Sequence, residues 1–120
     1  MFRRQIKHKY GAKPCDYDNK KFRSKLEKAA YILLKEAEKK GQIAFFLRET
    51  PFELSDRTTK KHRVDFIVFF ASGDVKLLET KGLDLDAGKL RRKLVETQYN
   101  IEIVVAKSQK QVVEFLNNNI

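Results

Sequence analysis

The stretch Val64–Gly82 reads VDFIVFFASGDVKLLETKG. It predicts two strongly apolar strands around a short turn, interrupted by Asp65, Glu79 and Lys81. Charged groups among apolar neighbours are expensive unless paired or bound to a metal. Residues i and i+2 share a strand face, so Asp65 lies with Ile67 and Phe69, and Glu79 and Lys81 lie with Val75 and Leu77. The turn decides whether these faces meet. A two-residue loop, Ser72-Gly73, places Asp65 opposite Thr80. A three-residue loop, Ala71-Ser72-Gly73, places Asp65 across from Glu79, about 5 Å apart at Cβ. Gly73 as last loop residue supports the second register. A bulge would shift either strand.

Two adjacent ionised carboxylates repel, and a divalent cation relieves the repulsion. Mg²⁺ takes one or two carboxylates with water and substrate phosphate. A lysine beside them can orient or deprotonate an attacking water, or offset developing phosphate charge. Asp65, Glu79 and Lys81 therefore form an inventory for phosphodiester hydrolysis. The plain alternative is an edge ion pair between Lys81 and either acid.

The rest of the chain gives this hairpin its setting. At 120 residues the length predicts one domain. Lys and Arg number 26 against 16 Asp and Glu, a net charge of +10 that favours a polyanionic partner, nucleic acid first. The longest apolar run, Phe66 to Ala71, is too short to span a membrane. The start, MFRRQIKHKY, is basic without an apolar stretch behind it and predicts no secretory leader. The single cysteine, Cys15, excludes an intramolecular disulfide and fits a reducing cytosol.

Residues 1–21 show neither strand nor helix periodicity and read as a basic arm ahead of a domain over 22–120. Helical spacing of Leu26, Ala30, Leu33 and Ala37 predicts a helix over Ser24–Lys40, capped by Ser24 and stopped by Gly41. Strands follow at Ile43–Leu47 and, after Pro51, at Phe52–Leu54, then a polar loop over Ser55–Lys61. Beyond the hairpin, Asp86 caps a basic helix from Ala87 to about Thr97. A strand, Ile101–Val105, and a helix, Gln109–Asn117, opened by Ser108 and Gln111, complete an α/β layer arrangement.

The ordered set Lys9-Tyr10-Gly11-Ala12-Lys13, Phe22-x-Ser24-Lys25-Leu26-Glu27, Val64-Asp65-Phe66, Glu79-Thr80-Lys81-Gly82 and Lys93-Leu94 resembles the PD-(D/E)XK nucleases, in particular small phage-encoded junction-resolving endonucleases. The likeness runs from about Lys9 to Val105. Val64 stands where the signature has proline. The resemblance implies a restriction-endonuclease-like domain with an αβββαβ core and a mixed sheet flanked by helices. It implies a Mg²⁺-dependent hydrolase acting on DNA, with Mn²⁺ as a substitute. Asp65 and Glu79 would be metal ligands, with the Thr80 carbonyl and Glu27 from the first helix added, and Lys81 would be catalytic. Branched or Holliday-junction DNA, nicked duplex and specific duplex sites are the substrate classes. A homodimer in the cytoplasm of a phage host is the implied setting, without a membrane.

Glu27 also has a local reading, since Ser24 and Glu27 form a capping box. Lys89, Arg92 and Lys93, at i, i+3 and i+4, form a candidate phosphate-binding stripe. His62, Arg63, Arg23, Lys25 and Lys28 are further candidate phosphate contacts, which give affinity and salt dependence but no sequence choice. His8, His62 and Cys15 match no zinc spacing. Asp84 reads as a solvated loop residue, and Glu102 as solvent-facing.

Overall fold

A computed structural model describes residues 15–55 and 61–120. Nine elements follow one another: β1 (Cys15–Tyr17), β2 (Lys20–Phe22), α1 (Lys25–Lys39), β3 (Ile43–Glu53), β4 (Lys61–Phe70), β5 (Val75–Thr80), α2 (Asp86–Tyr99), β6 (Ile103–Ala106) and α3 (Gln109–Asn119). From α1 to β6 the order is αβββαβ. Strands β3, β4, β5 and β6 form one sheet in that order, antiparallel except for the parallel β5–β6 pair. The expected α/β domain, a mixed sheet flanked by helices, is therefore present.

The helix ends are set by local chemistry. Ser24 Oγ accepts from the Glu27 amide at 3.1 Å, and Glu27 Oε1 accepts from the Arg23 amide at 2.8 Å. Ser108 Oγ likewise accepts from the Gln111 amide, and Gln111 Oε1 accepts from the Lys107 amide at 2.6 Å. In each pairing one bond satisfies a first-turn amide that the helix start leaves open, and the other ties down the residue before the cap. Gly41, at φ +78°, ends α1. Asn100, at φ 53°, ends α2 in the left-handed region. Leu85, not Asp86, is the N-cap of α2, and no side chain caps it; Asp86 is the first helical residue.

The sheet separates two apolar clusters. Phe66, Val68, Phe70 and Leu78 pack against Ala30, Tyr31 and Leu34 of α1 and Val112, Phe115 and Leu116 of α3. On the other face, Val64, Ile67, Leu77 and Ile103 pack with Val95 of α2. β4 lies between β3 and β5 and is covered on both faces, which explains its nearly unbroken apolar run. Each large side chain so buried contributes about 1.5–3 kcal/mol.

Two local expectations change, and a third lies mostly beyond the described residues. The two strands expected at 43–47 and 52–54 are one 11-residue strand, β3, that runs through Pro51. β3 is an edge strand, where a residue without an amide hydrogen is tolerated. The basic arm expected over 1–21 is, from Cys15 on, a folded hairpin; its first 14 residues lie outside the described residues. Asp18 and Asn19, at φ 55° and 58°, make its turn. Phe22 is buried against Tyr31, Tyr31 Oη donates to Asp18 at 2.8 Å, and the Arg48 guanidinium stacks on the Phe22 ring. Most of the loop expected over Ser55–Lys61 lies outside the described residues.

The central hairpin has the three-residue loop. Phe66 pairs with Leu78, Ile67 with Leu77 and Phe69 with Val75. The Phe70 amide donates to the Asp74 carbonyl at 2.9 Å, closing Ala71-Ser72-Gly73, with Gly73 at φ +101°. A Cβ at Gly73 meets nothing within 4 Å, so only the backbone opposes substitution. Gly73→Ala is expected to destabilise the fold by about 1–2 kcal/mol, read as a lower urea midpoint with an unchanged m-value.

Candidate active site at a fork between two strands

The regular β4–β5 pairing ends at Phe66–Leu78, one step before Asp65 and Glu79. On β4, Val64 packs on the α2 side and Phe66 on the α1 side, so strict alternation breaks at Asp65. On β3, Glu49 stands at φ 50° and is absent from the ladder between Arg48–Phe66 and Thr50–Val64. The irregularity crosses both strands and turns the Asp65 side chain into the fork between β4 and β5. Its Oδ2 there accepts from the Thr80 amide at 2.8 Å and from Thr80 Oγ1 at 3.1 Å. A side-chain oxygen has taken a role that a strand carbonyl normally fills.

Asp65 Oδ1 accepts from Arg23 Nη2 at 2.6 Å. The same guanidinium nitrogen lies 3.8 Å from Glu27 Oε2. Glu27 and Asp65 are both buried. Glu27 Oε2 is a buried oxygen without a hydrogen-bond partner. Burial raises the pKa of the Glu27 carboxyl above its ordinary value, and the charge of Asp65 raises it further. The Arg23 amide and the charges of Arg23 and Arg48 act in the opposite direction without cancelling the rise.

Glu79 belongs to a second cluster. Its Oε1 faces His62 Nε2, and its Oε2 lies 3.4 Å from Arg92 Nη1. Arg92 Nη2 donates to Asp84 Oδ2. Glu79, His62 and Arg92 are all buried. Burial opposes the charge on Arg92, but the hydrogen bond to Asp84 and the charge of Glu79 outweigh it and raise its pKa.

These contacts redistribute the expected site. Glu27 and Asp65 come together, whereas Glu79 turns to the α2 side of the sheet and does not meet Asp65. The three-residue loop alone would have brought them together; the break at Asp65 undoes that arrangement. Thr80 contributes its amide and hydroxyl to Asp65. Lys81 follows the end of β5, and its amide donates to the Ala106 carbonyl at 3.0 Å. Arg92 leaves the phosphate stripe because it is buried, while Lys89 and Lys93 are exposed. His62 is buried against Glu79 and is not a surface contact; Arg63 and Lys25 are exposed, and Lys28 is partly exposed. Asp84 is an ion-pair partner, not a solvated loop residue. No periodicity links Asp84 with Arg92, eight residues on, so only coordinates reveal the pair. Glu102 is exposed as expected.

The donor set fits a hard cation in part. Among the described residues, no three His, Cys, Asp or Glu side chains converge as metal ligands. Two carboxylates do converge, each with one oxygen held by a main-chain amide, and one oxygen of the pair is orphaned. Two carboxylates with water and phosphate suffice for Mg²⁺.

Without divalent cations, the raised Glu27 pKa predicts a pH effect of known sign. The folded state holds the Glu27 proton more tightly than the unfolded state, whose value is near 4.5. The contribution of Glu27 to stability is thus fully present below that value and is lost as pH rises through the raised folded value. Glu27→Gln removes this loss. The melting temperature of the variant, relative to wild type, is expected to rise between pH 4 and pH 8.

The chain belongs to the family described as protein of unknown function (DUF1064), whose family profile matches residues 7–112. No curated protein and no solved structure matched the chain. Among the described residues, no helix is long and apolar enough to cross a membrane.

Proposed function

We propose that the protein is a Mg²⁺-dependent DNA endonuclease that hydrolyses phosphodiester bonds, selective for branched or junction DNA and working as a homodimer. The observation that carries the reading is the Glu27–Asp65 pair: two buried carboxylates at a strand fork, one oxygen orphaned, on a chain of net charge +10. Lys81 follows directly on the strand whose last residue, Thr80, holds Asp65.

In this reading Glu27 and Asp65 hold the cation, with Mn²⁺ able to replace Mg²⁺. The cation supplies polarisation of the scissile phosphate and a lowered pKa for bound water. Main-chain amides fix both carboxylates, so their orientation is set before substrate arrives. Alternation puts Lys81 on the face of Glu79, so in this reading its side chain reaches round the end of β5 to orient the attacking water and offset charge building on the phosphate. Glu79 positions the end of β5 through His62 and Arg92 on the other side of the sheet and takes no part in holding the cation. Lys89, Lys93, Lys25, Lys28 and Arg63 hold the DNA backbone. A two-armed substrate suits a two-fold dimer with two such sites.

The test offers purified protein a four-way junction and a linear duplex built from the same arms, with Mg²⁺ or EDTA. Symmetric Mg²⁺-dependent cuts confined to the junction are expected. Equal cutting of both substrates would favour a site-specific or nicking endonuclease. DNA binding without cleavage of either would indicate a non-catalytic binding protein.

A further inference from the structure

The open oxygens of the Glu27–Asp65 pair share one neighbour. Glu27 Oε1 is held by the Arg23 amide at 2.8 Å, and Asp65 Oδ2 by Thr80. The two remaining oxygens, Glu27 Oε2 and Asp65 Oδ1, both lie near Arg23 Nη2. That nitrogen reaches Asp65 at 2.6 Å but stands 3.8 Å from Glu27, beyond a hydrogen bond. A planar guanidinium thus satisfies one carboxylate and leaves the other short, whereas a compact cation between the two oxygens can serve both.

Exposure separates the partners. The Arg23 side chain is 52% exposed, against 2% for Glu27 and 4% for Asp65. The carboxylates are fixed, and the guanidinium sits at the surface on a long, flexible stem. An ion pair with one half-exposed member is weak and exchanges readily with solvent ions. Arg92 is the opposite case, 8% exposed and locked between two buried acids.

We infer that Arg23 is an exchangeable counter-ion. It offsets one of the two charges of Glu27 and Asp65 until a divalent cation takes its place, and the released guanidinium then binds a phosphate of the DNA beside that cation. This rests on the cation-binding reading of the same pair. With Arg23 the pair keeps a net charge of −1, and a divalent cation brings it to zero, so the guanidinium is freed for a phosphate. The exchange brings a bidentate phosphate donor to the site only once the cation is bound.

The test uses the full chain and Mn²⁺ alone as probe, with binding followed by calorimetry and by the electron-spin-resonance signal of free Mn²⁺. Arg23→Ala removes the competitor, and Arg23→Gln removes its charge while keeping most of its packing; circular dichroism checks that both are folded. Both variants are expected to bind Mn²⁺ about two- to fivefold more tightly than wild type, since a competing ion pair no longer has to open. In Ca²⁺, used as a non-cleaving cation, both are expected to bind junction DNA several-fold more weakly, with a shallower salt dependence. Mn²⁺ affinity equal to or below wild type in both variants overturns the exchange. DNA affinity unchanged in Ca²⁺ overturns the phosphate role. If neither wild type nor either variant binds Mn²⁺, the cation-binding reading itself falls, an outcome distinct from the other two.

Discussion

Lys81→Ala is expected to lower Mg²⁺-dependent cleavage of branched DNA by about 10²–10⁴-fold, the range for removal of a positioned proton-transfer or charge-stabilising group. Melting temperature and DNA affinity should stay close to wild type. The residue's structural contact is made by its main chain, through the amide bond to Ala106, and survives truncation of the side chain. Lys81→Arg should rescue little, because a planar, forked guanidinium places its charge and donors differently from a compact ammonium. Single-turnover cleavage with saturating enzyme separates the chemical step from binding. Full activity in Lys81→Ala would remove the lysine from the chemistry and, with it, much of the support for a nuclease.

The second large effect concerns stability. Arg92→Met keeps the bulk of the side chain but leaves Glu79 and Asp84 buried without their shared cation. Breaking a buried ion pair on one side destabilises by about 3–5 kcal/mol. For a domain of this size that lowers the melting temperature by about 10–25 °C. Adding Asp84→Asn should recover part of the loss, since one stranded charge disappears. Lys89→Ala with Lys93→Ala is the contrasting case. Both lysines are exposed, so stability should hardly change, while the slope of log affinity against log salt should fall by about 2. A DNA-binding defect without a stability defect in Arg92→Met would return Arg92 to the phosphate stripe.

The amino-acid sequence carried the frame of this fold in its short-range signals. Ser24 with Glu27, Ser108 with Gln111, and Gly41 mark helix ends through bonds within a few residues, and Gly73 marks the turn. The element order and the three-residue loop followed from these. The sequence was silent where several strands adjust together. Alternation assumes an unbroken pleat, so it carried Asp65 to the face of Ile67, and nothing in the residues flags the paired irregularity at Asp65 and Glu49. Charge patterning erred for a related reason. Arg92 sits among basic residues on an exposed-looking helix, yet Glu79 and Asp84 draw it inward. The hairpin over Cys15–Phe22 leaves little trace in the sequence because only Phe22 of its six strand residues is buried, although Asp18-Asn19 carries a turn signal.

The fork has a further effect on how ligand occupancy could be observed. One oxygen of Asp65 holds the Thr80 amide, and the other accepts from Arg23, which the proposed cation would displace. Electron density withdrawn from that carboxylate weakens it as an acceptor, so the Thr80 N–H is a built-in reporter. Its nitrogen chemical shift and its rate of exchange with deuterium would follow ion uptake at a main-chain position, giving a readout without any nucleic acid present.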